Sequence, residues 1–179
     1  DAQESRGLGD VYKRQVYGSF KTIVYRDKPS GGAHLALVHG DISADQETLV
    51  RVHQPVSVLD WLETKATTHS WNLASAMAAI KQSERGVMVL LNCEESADEF
   101  FAQFEALNNP ESRPQQRAAH MDLRTYGIGA QILKDLSVGK MKLLANQRKM
   151  PSMAGFDLEV TGYQAVSYTH LTLPTTPYV

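Results

Sequence analysis

One cysteine, Cys93, stands in 179 residues, which excludes an internal disulfide framework and any zinc site built from several thiolates. Such thiol usage suggests a reducing, cytoplasmic setting. Neither sign of charge is in excess, since 18 Lys and Arg face 20 Asp and Glu for a formal net charge of -2. That balance gives no electrostatic case for nucleic acid or for a membrane surface. No apolar run approaches the roughly 20 residues a transmembrane helix requires, and no signal-peptide pattern opens the chain. What is present is an ordinary globular composition, 42% hydrophobic and 21% charged. It suffices for one domain with a real core.

Composition shifts at both ends. Ala165 to Val179 holds four Thr, two Pro and no acidic or basic residue, and Asp1 to Gln15 is polar with no helical or strand period. Asp10 to Gln15 can be written with the codons GAT-GTG-TAT-AAG-AGA-CAG. Their reverse complement, in another frame, writes Val166 to His170 and the start of a Leu codon for Leu171. One short DNA element in opposite orientations thus encodes both flanks, and it resembles the transposon end used in sequencing-library preparation. Residues 1–15 and 165–179 therefore read as library artefacts, and 16–164 as the domain. The flanks carry three basic and three acidic residues, so setting them aside leaves the charge unchanged.

From Val16 the periodicity is clear. Tyr17–Arg26 alternates and is rich in β-formers, predicting a strand. The DKPSGG that follows is turn chemistry, with Pro29 fixing φ and two glycines permitting positive φ. HLALVHGD and LVRVHQP predict two more strands, giving an antiparallel meander that Pro55 ends. Leu73, Met77 and Ile80 then fall at helical spacing. Gly86–Asn92 is a continuous apolar run, the mark of a strand covered on both faces. Ser96 and Glu99 form a capping box for a helix with Phe100, Phe104 and Leu107 on its buried stripe. After a loop with two prolines, Asp122 predicts the N-cap of a helix through Ile128, Ile132, Leu133 and Leu136, stopped by Gly139. KMKLLAN, a short helical turn and FDLEVTGY complete the pattern. Strands first, then alternation with helices, predict an α/β fold: a mixed sheet covered by helices.

The histidines His34, His39, His53, His69 and His120 are scattered, and no pair has a metal-ligand spacing. Cys93 ends the buried strand without an activating base nearby and reads as a structural thiol. Within DLRTYGIGAQIL, Gly127 and Gly129 each cost a helix about 1 kcal/mol relative to Ala. Close approach of a ligand to a helix N-terminus would explain them, with Asp122 and Arg124 beside it. Tight packing of helix on sheet would explain them equally well. Arg51 and His53 share one face of their strand, opposite Val50 and Val52. An arginine so placed is a phosphate candidate, though more often it is solvated.

Taken in order, FKTIVYRDKPSGGAHLALVHGDI, RVHQPVSVLD, ERGVMVLL, DLRTYGIGAQILKDLSVGKMKLLAN and GFDLEV resemble GTP cyclohydrolase II, and DLRTYGIGAQIL is the most specific piece. The resemblance implies a mixed α/β domain, usually dimeric, that binds one zinc through three cysteines and opens the guanine ring of GTP. It also implies the habit of fusion behind a dihydroxybutanone phosphate synthase domain of riboflavin synthesis.

Matched residue by residue, the family's zinc cysteines fall on Val56, Thr67 and His69. Its R-Q-E-G-R substrate loop falls on Asn92, Cys93, Glu94, Glu95 and Ser96, so both arginines are missing and Glu95 opposes a triphosphate. The tyrosine of the family's A-Y-A-L falls on Glu105. Its final lysine falls on Met150, with Lys149 one place before. Arg51, Asp122 and Arg124 persist. In the family, the match of Arg124 is the proposed nucleophile and that of Asp122 its partner. The resemblance thus implies a degenerate domain with vestigial catalytic residues Asp122 and Arg124, no zinc, and only weak nucleotide-binding candidates in Arg51 and Lys149. It would be the C-terminal part of a homodimeric synthase. Two alternatives stand beside it. One is an active cyclohydrolase with a metal site relocated to His53, His69, Cys93 and His120. The other is a regulatory module that keeps a nucleotide through Arg51, Arg124 and Lys149.

Overall fold

In a computed structural model of the chain, the described residues are 11–15, 18–54, 70–91, 123–147 and 153–166, with the side chains of 11–15, 18, 123 and 124 excepted. The DKPSGG turn behaves as its chemistry demands. Asp27 and Gly31–Gly32 close it through Asp27 N–H to the Gly32 carbonyl at 2.8 Å and Gly31 N–H to the Asp27 carbonyl at 2.7 Å. The turn joins β2 (Gly18–Arg26) to β3 (Ala33–His39) as an antiparallel hairpin that pairs Tyr25 with His34.

The meander stops there. β4 (Glu47–His53) does not pair with β3, because β5 (Gly86–Leu90) lies between them, antiparallel to β3 and parallel to β4. The cause is hydrophobic. All five residues of β5 are buried, and a strand apolar on both faces is satisfied only with neighbours on both edges and helices on both sides. β6 (Lys140–Leu144) and β7 (Glu159–Gln164) continue the parallel part, and with β1 (Val11–Gln15) at the opposite edge the sheet order is β1-β2-β3-β5-β4-β6-β7. β1 pairs antiparallel with β2, so a segment read as aperiodic adopts a strand.

Among the described residues, two helices cover opposite faces. α1 (Leu73–Gln82) buries Leu73, Ala76, Met77 and Ile80, as its spacing predicts. Its N-cap Asn72 accepts from Ser75 N–H at 2.7 Å, which satisfies one of the orphan donors of the first turn. These residues pack with Leu37, Met88 and Leu90. On the other face α2 (Leu123–Asp135) contributes Ala130, Ile132 and Leu133 to a core with Val50, Val87, Val89 and Leu91. The alternation along β5 and into Leu91 therefore feeds two cores from one strand. Gly86 lets α1 pack closely on the sheet, since a Cβ there would lie 2.8 Å from Ile80 Cγ2 and 2.9 Å from the Leu49 carbonyl.

α2 ends earlier than Gly139. Ser137 takes the left-handed position at φ 62. Its N–H bonds the Lys134 carbonyl at 2.9 Å, and Val138 N–H bonds the Leu133 carbonyl at 3.0 Å, a Schellman arrangement. Gly139 serves a different purpose, because a Cβ there would lie 2.2 Å from the Ala44 carbonyl oxygen. The short helical turn is a 3₁₀ turn at Ala154–Phe156. Pro55, the helix proposed after Ser96, the proline loop, the Asp122 cap and residues 167–179 lie outside the described residues. No helix among the described residues is long and apolar enough to cross a membrane.

Candidate functional site

β4, β5 and β6 run parallel, so His53, Leu90 and Leu144 end on one edge of the sheet. The chain leaves β4 for β5 through α1 on one face, and leaves β5 for β6 through α2 on the other. Connections that diverge from neighbouring strands open a crevice at the carboxyl edge, the usual ligand site of such sheets. The segments that follow these three strand ends, 55–69, 92–122 and 148–152, lie outside the described residues. They carry Val56, Thr67, His69, Cys93, Glu95, Glu105, His120, Asp122 and Lys149. The side chain of Arg124, in the first turn of α2, is likewise outside.

The described residues nearest these strand ends include Arg51 and His53 of β4. They share a face, as alternation predicts, but that face is not solvated. Arg51 is 6% exposed and His53 1%, because α1 and the segment leading into it cover this side. The Arg51 guanidinium donates through Nη1 to the Leu144 carbonyl at 2.8 Å and through Nη2 to the Trp71 carbonyl at 3.2 Å. Burying such a charge is costly unless its donors are paired, as these two are. Trp71 in turn donates its indole N–H to the Gln164 carbonyl at 3.0 Å.

A second concavity, of about 60 Å³, lies between α2 and the β2–β3 hairpin. Tyr25 donates its hydroxyl to Asp135 at 2.8 Å there, and the Ser30 hydroxyl donates to the buried Asp27. Buried His34 also lines it. The space admits about two waters at their liquid volume. Sequence reading left this cluster unassembled. Its signal was parity, since His34 is on the same face as the core residue Ala36.

Gly127 and Gly129 find no steric reason here. A Cβ at Gly127 would meet nothing within 4 Å among the described residues, and one at Gly129 would make ordinary contact with Leu91 at 3.6 Å and Val52 at 3.7 Å.

Residues 11–165 match the family model of GTP cyclohydrolase II. The chain belongs to that family. Among curated proteins this cyclohydrolase II-family domain is 40% identical over 157 residues to a 3,4-dihydroxy-2-butanone 4-phosphate synthase of Neisseria meningitidis, covering 88% of this chain and 41% of the relative. It is 34% identical over 152 residues to the riboflavin biosynthesis protein RibBA of Chlorobium phaeovibrioides, covering 81% and 37%. The domain thus spans about two fifths of the length of these relatives. Among solved structures it is similar to RibBX, a two-domain 3,4-dihydroxy-2-butanone 4-phosphate synthase from A. baumannii. There the TM-score is 0.55 and the identity 28%, over 93% of this chain and 41% of that one.

The family's zinc does not fit the residues present. The three matching positions hold Val56, Thr67 and His69, which offer one imidazole and no thiolate where tetrahedral zinc needs three protein ligands. Among the described residues no group of three His, Cys, Asp or Glu is placed to hold a metal.

Proposed function

We propose that this is a degenerate GTP cyclohydrolase II-like domain that no longer opens GTP. In this reading it forms the C-terminal part of a cytoplasmic 3,4-dihydroxy-2-butanone 4-phosphate synthase of riboflavin biosynthesis, where it serves homodimerisation, stability or regulation. The observation that carries the reading is the donor set. None of the three zinc positions has a cysteine, and the one cysteine of the chain, Cys93, matches none of them. Without the metal there is no Lewis acid and no water activated by it. Asp122 and Arg124 are then vestigial.

Relatives support the fusion. Several bear the synthase name although the matched region is only about two fifths of their length. Two measurements on the purified chain test the reading, namely zinc content after exposure to Zn²⁺ and a GTP-dependent absorbance assay. Substoichiometric zinc and no turnover are expected. One zinc per chain with turnover would sink the reading and favour a relocated site at His53, His69, Cys93 and His120. Calorimetric binding of GTP, GMP or a flavin nucleotide without turnover would favour a regulatory module instead.

A further inference from the structure

We infer that Arg51 and Trp71 form a structural tie across the carboxyl ends of β4, β6 and β7, and that this domain holds no nucleotide phosphate through Arg51. Arg51 lies two residues before the carboxyl end of β4 and is the phosphate candidate of that strand. Its charge is directed elsewhere. One terminal nitrogen reaches the carbonyl of Leu144, the last residue of β6, and the other reaches the carbonyl of Trp71, two residues before α1. Trp71 passes the connection on, through its indole N–H, to the carbonyl of Gln164, the last residue of β7.

The partners lie 93, 20 and 93 residues apart in sequence. Three bonds therefore join β4, β6, β7 and the approach to α1. Carbonyls at the ends of parallel strands have run out of ladder partners, and a buried one needs a donor. A planar guanidinium with five N–H groups can serve two such carbonyls at once, which a lysine cannot do in the same geometry. A phosphate would have to reach a side chain that is only 6% exposed and whose two terminal nitrogens already serve carbonyls. The inference concerns where the guanidinium is committed, so it stands apart from whether the domain turns over GTP.

The test uses the full chain with Trp61→Phe, leaving Trp71 as the sole tryptophan of the original two. Arg51→Lys keeps the charge and loses the fork, and Trp71→Phe keeps the ring and loses the indole donor. Melting temperature and, for the variants that keep Trp71, emission are read with and without millimolar GTP or pyrophosphate. Arg51→Lys is expected to lower the melting temperature by roughly 5 °C and to shift Trp71 emission to the red. Trp71→Phe should lower the melting temperature too, and the two losses should be less than additive because the bonds share Trp71. Neither ligand should stabilise the parent through Arg51, so any ligand-induced rise should survive in Arg51→Lys. An unchanged melting temperature and emission in Arg51→Lys would overturn the tie. A ligand-induced rise in the parent that vanishes in a folded Arg51→Lys would overturn the second half of the inference.

Discussion

Ser137 stands at φ 62, where the Cβ of an L-residue crowds the following carbonyl at a cost of about 1 kcal/mol. The helix end demands that conformation and the sequence does not supply the residue suited to it. Ser137→Gly should therefore stabilise the chain by about 0.5–1 kcal/mol, and urea melts would register a drop as the contrary result. Gly139, two places on, should behave oppositely. Its alanine would place Cβ 2.2 Å from the Ala44 carbonyl oxygen, so the backbone must move and stability falls. His39 gives a residue-scale prediction in pH. Burial first, and Lys81 second, hold its pKa below the ordinary value near 6.5, while its ring lies 5.9 Å from that of Phe20. The unfolded chain takes up a proton near pH 6.5 that the folded one resists, so this contribution is complete above that pH and is lost as pH falls from there through the lower folded pKa. Melts between pH 5 and 8 should show the decline, and His39→Gln should flatten it. Equal slopes in parent and variant would refute the assignment.

At the scale of elements, α1 was legible because its apolar spacing names the buried face without reference to anything else. β5 was legible as buried on both sides, and that alone bears on its central place. The neighbour of β3 was not legible, since local order favours β4 while the apolar demand of β5, over 30 residues further on, decides the pairing. Likewise the shared face of Arg51 and His53 follows from a period of two, but its burial depends on where α1 and Trp71 come to rest. The glycines of α2 remain the clearest conflict between an element and its sequence. A Cβ at Gly127 meets nothing within 4 Å among the described residues, and one at Gly129 only ordinary contacts. Gly127→Ala and Gly129→Ala should each stabilise the helix by up to about 1 kcal/mol. A combined variant should melt a few degrees higher by circular dichroism. If either alanine lowers the melting point instead, a neighbour outside the described residues packs against that glycine.

At the scale of the whole molecule, the comparisons and the termini bear on the same question from opposite sides. The Neisseria relative is matched over 88% of this chain yet only 41% of itself, so most of that protein has no counterpart here. If the two flanks come from one DNA element, as a choice of codons allows, the natural sequence is bounded near Val16 and Gln164, whereas the family model matches from residue 11 to 165. β1 pairs with β2 nonetheless, which shows that the outer edge of β2 accepts a strand of polar composition (its hydrogen bonds are backbone bonds, indifferent to side chains). Pairing at that edge is therefore no evidence that Val11–Gln15 belongs to the natural protein. An uninterrupted DNA read across the codon for Val16 distinguishes the two origins. It should continue upstream, in frame, into a dihydroxybutanone phosphate synthase domain, and Asp10–Gln15 should be absent from it. A read that instead encodes DVYKRQ in place, behind a start codon and with no synthase domain, would remove both the library origin of the flank and the proposed fusion.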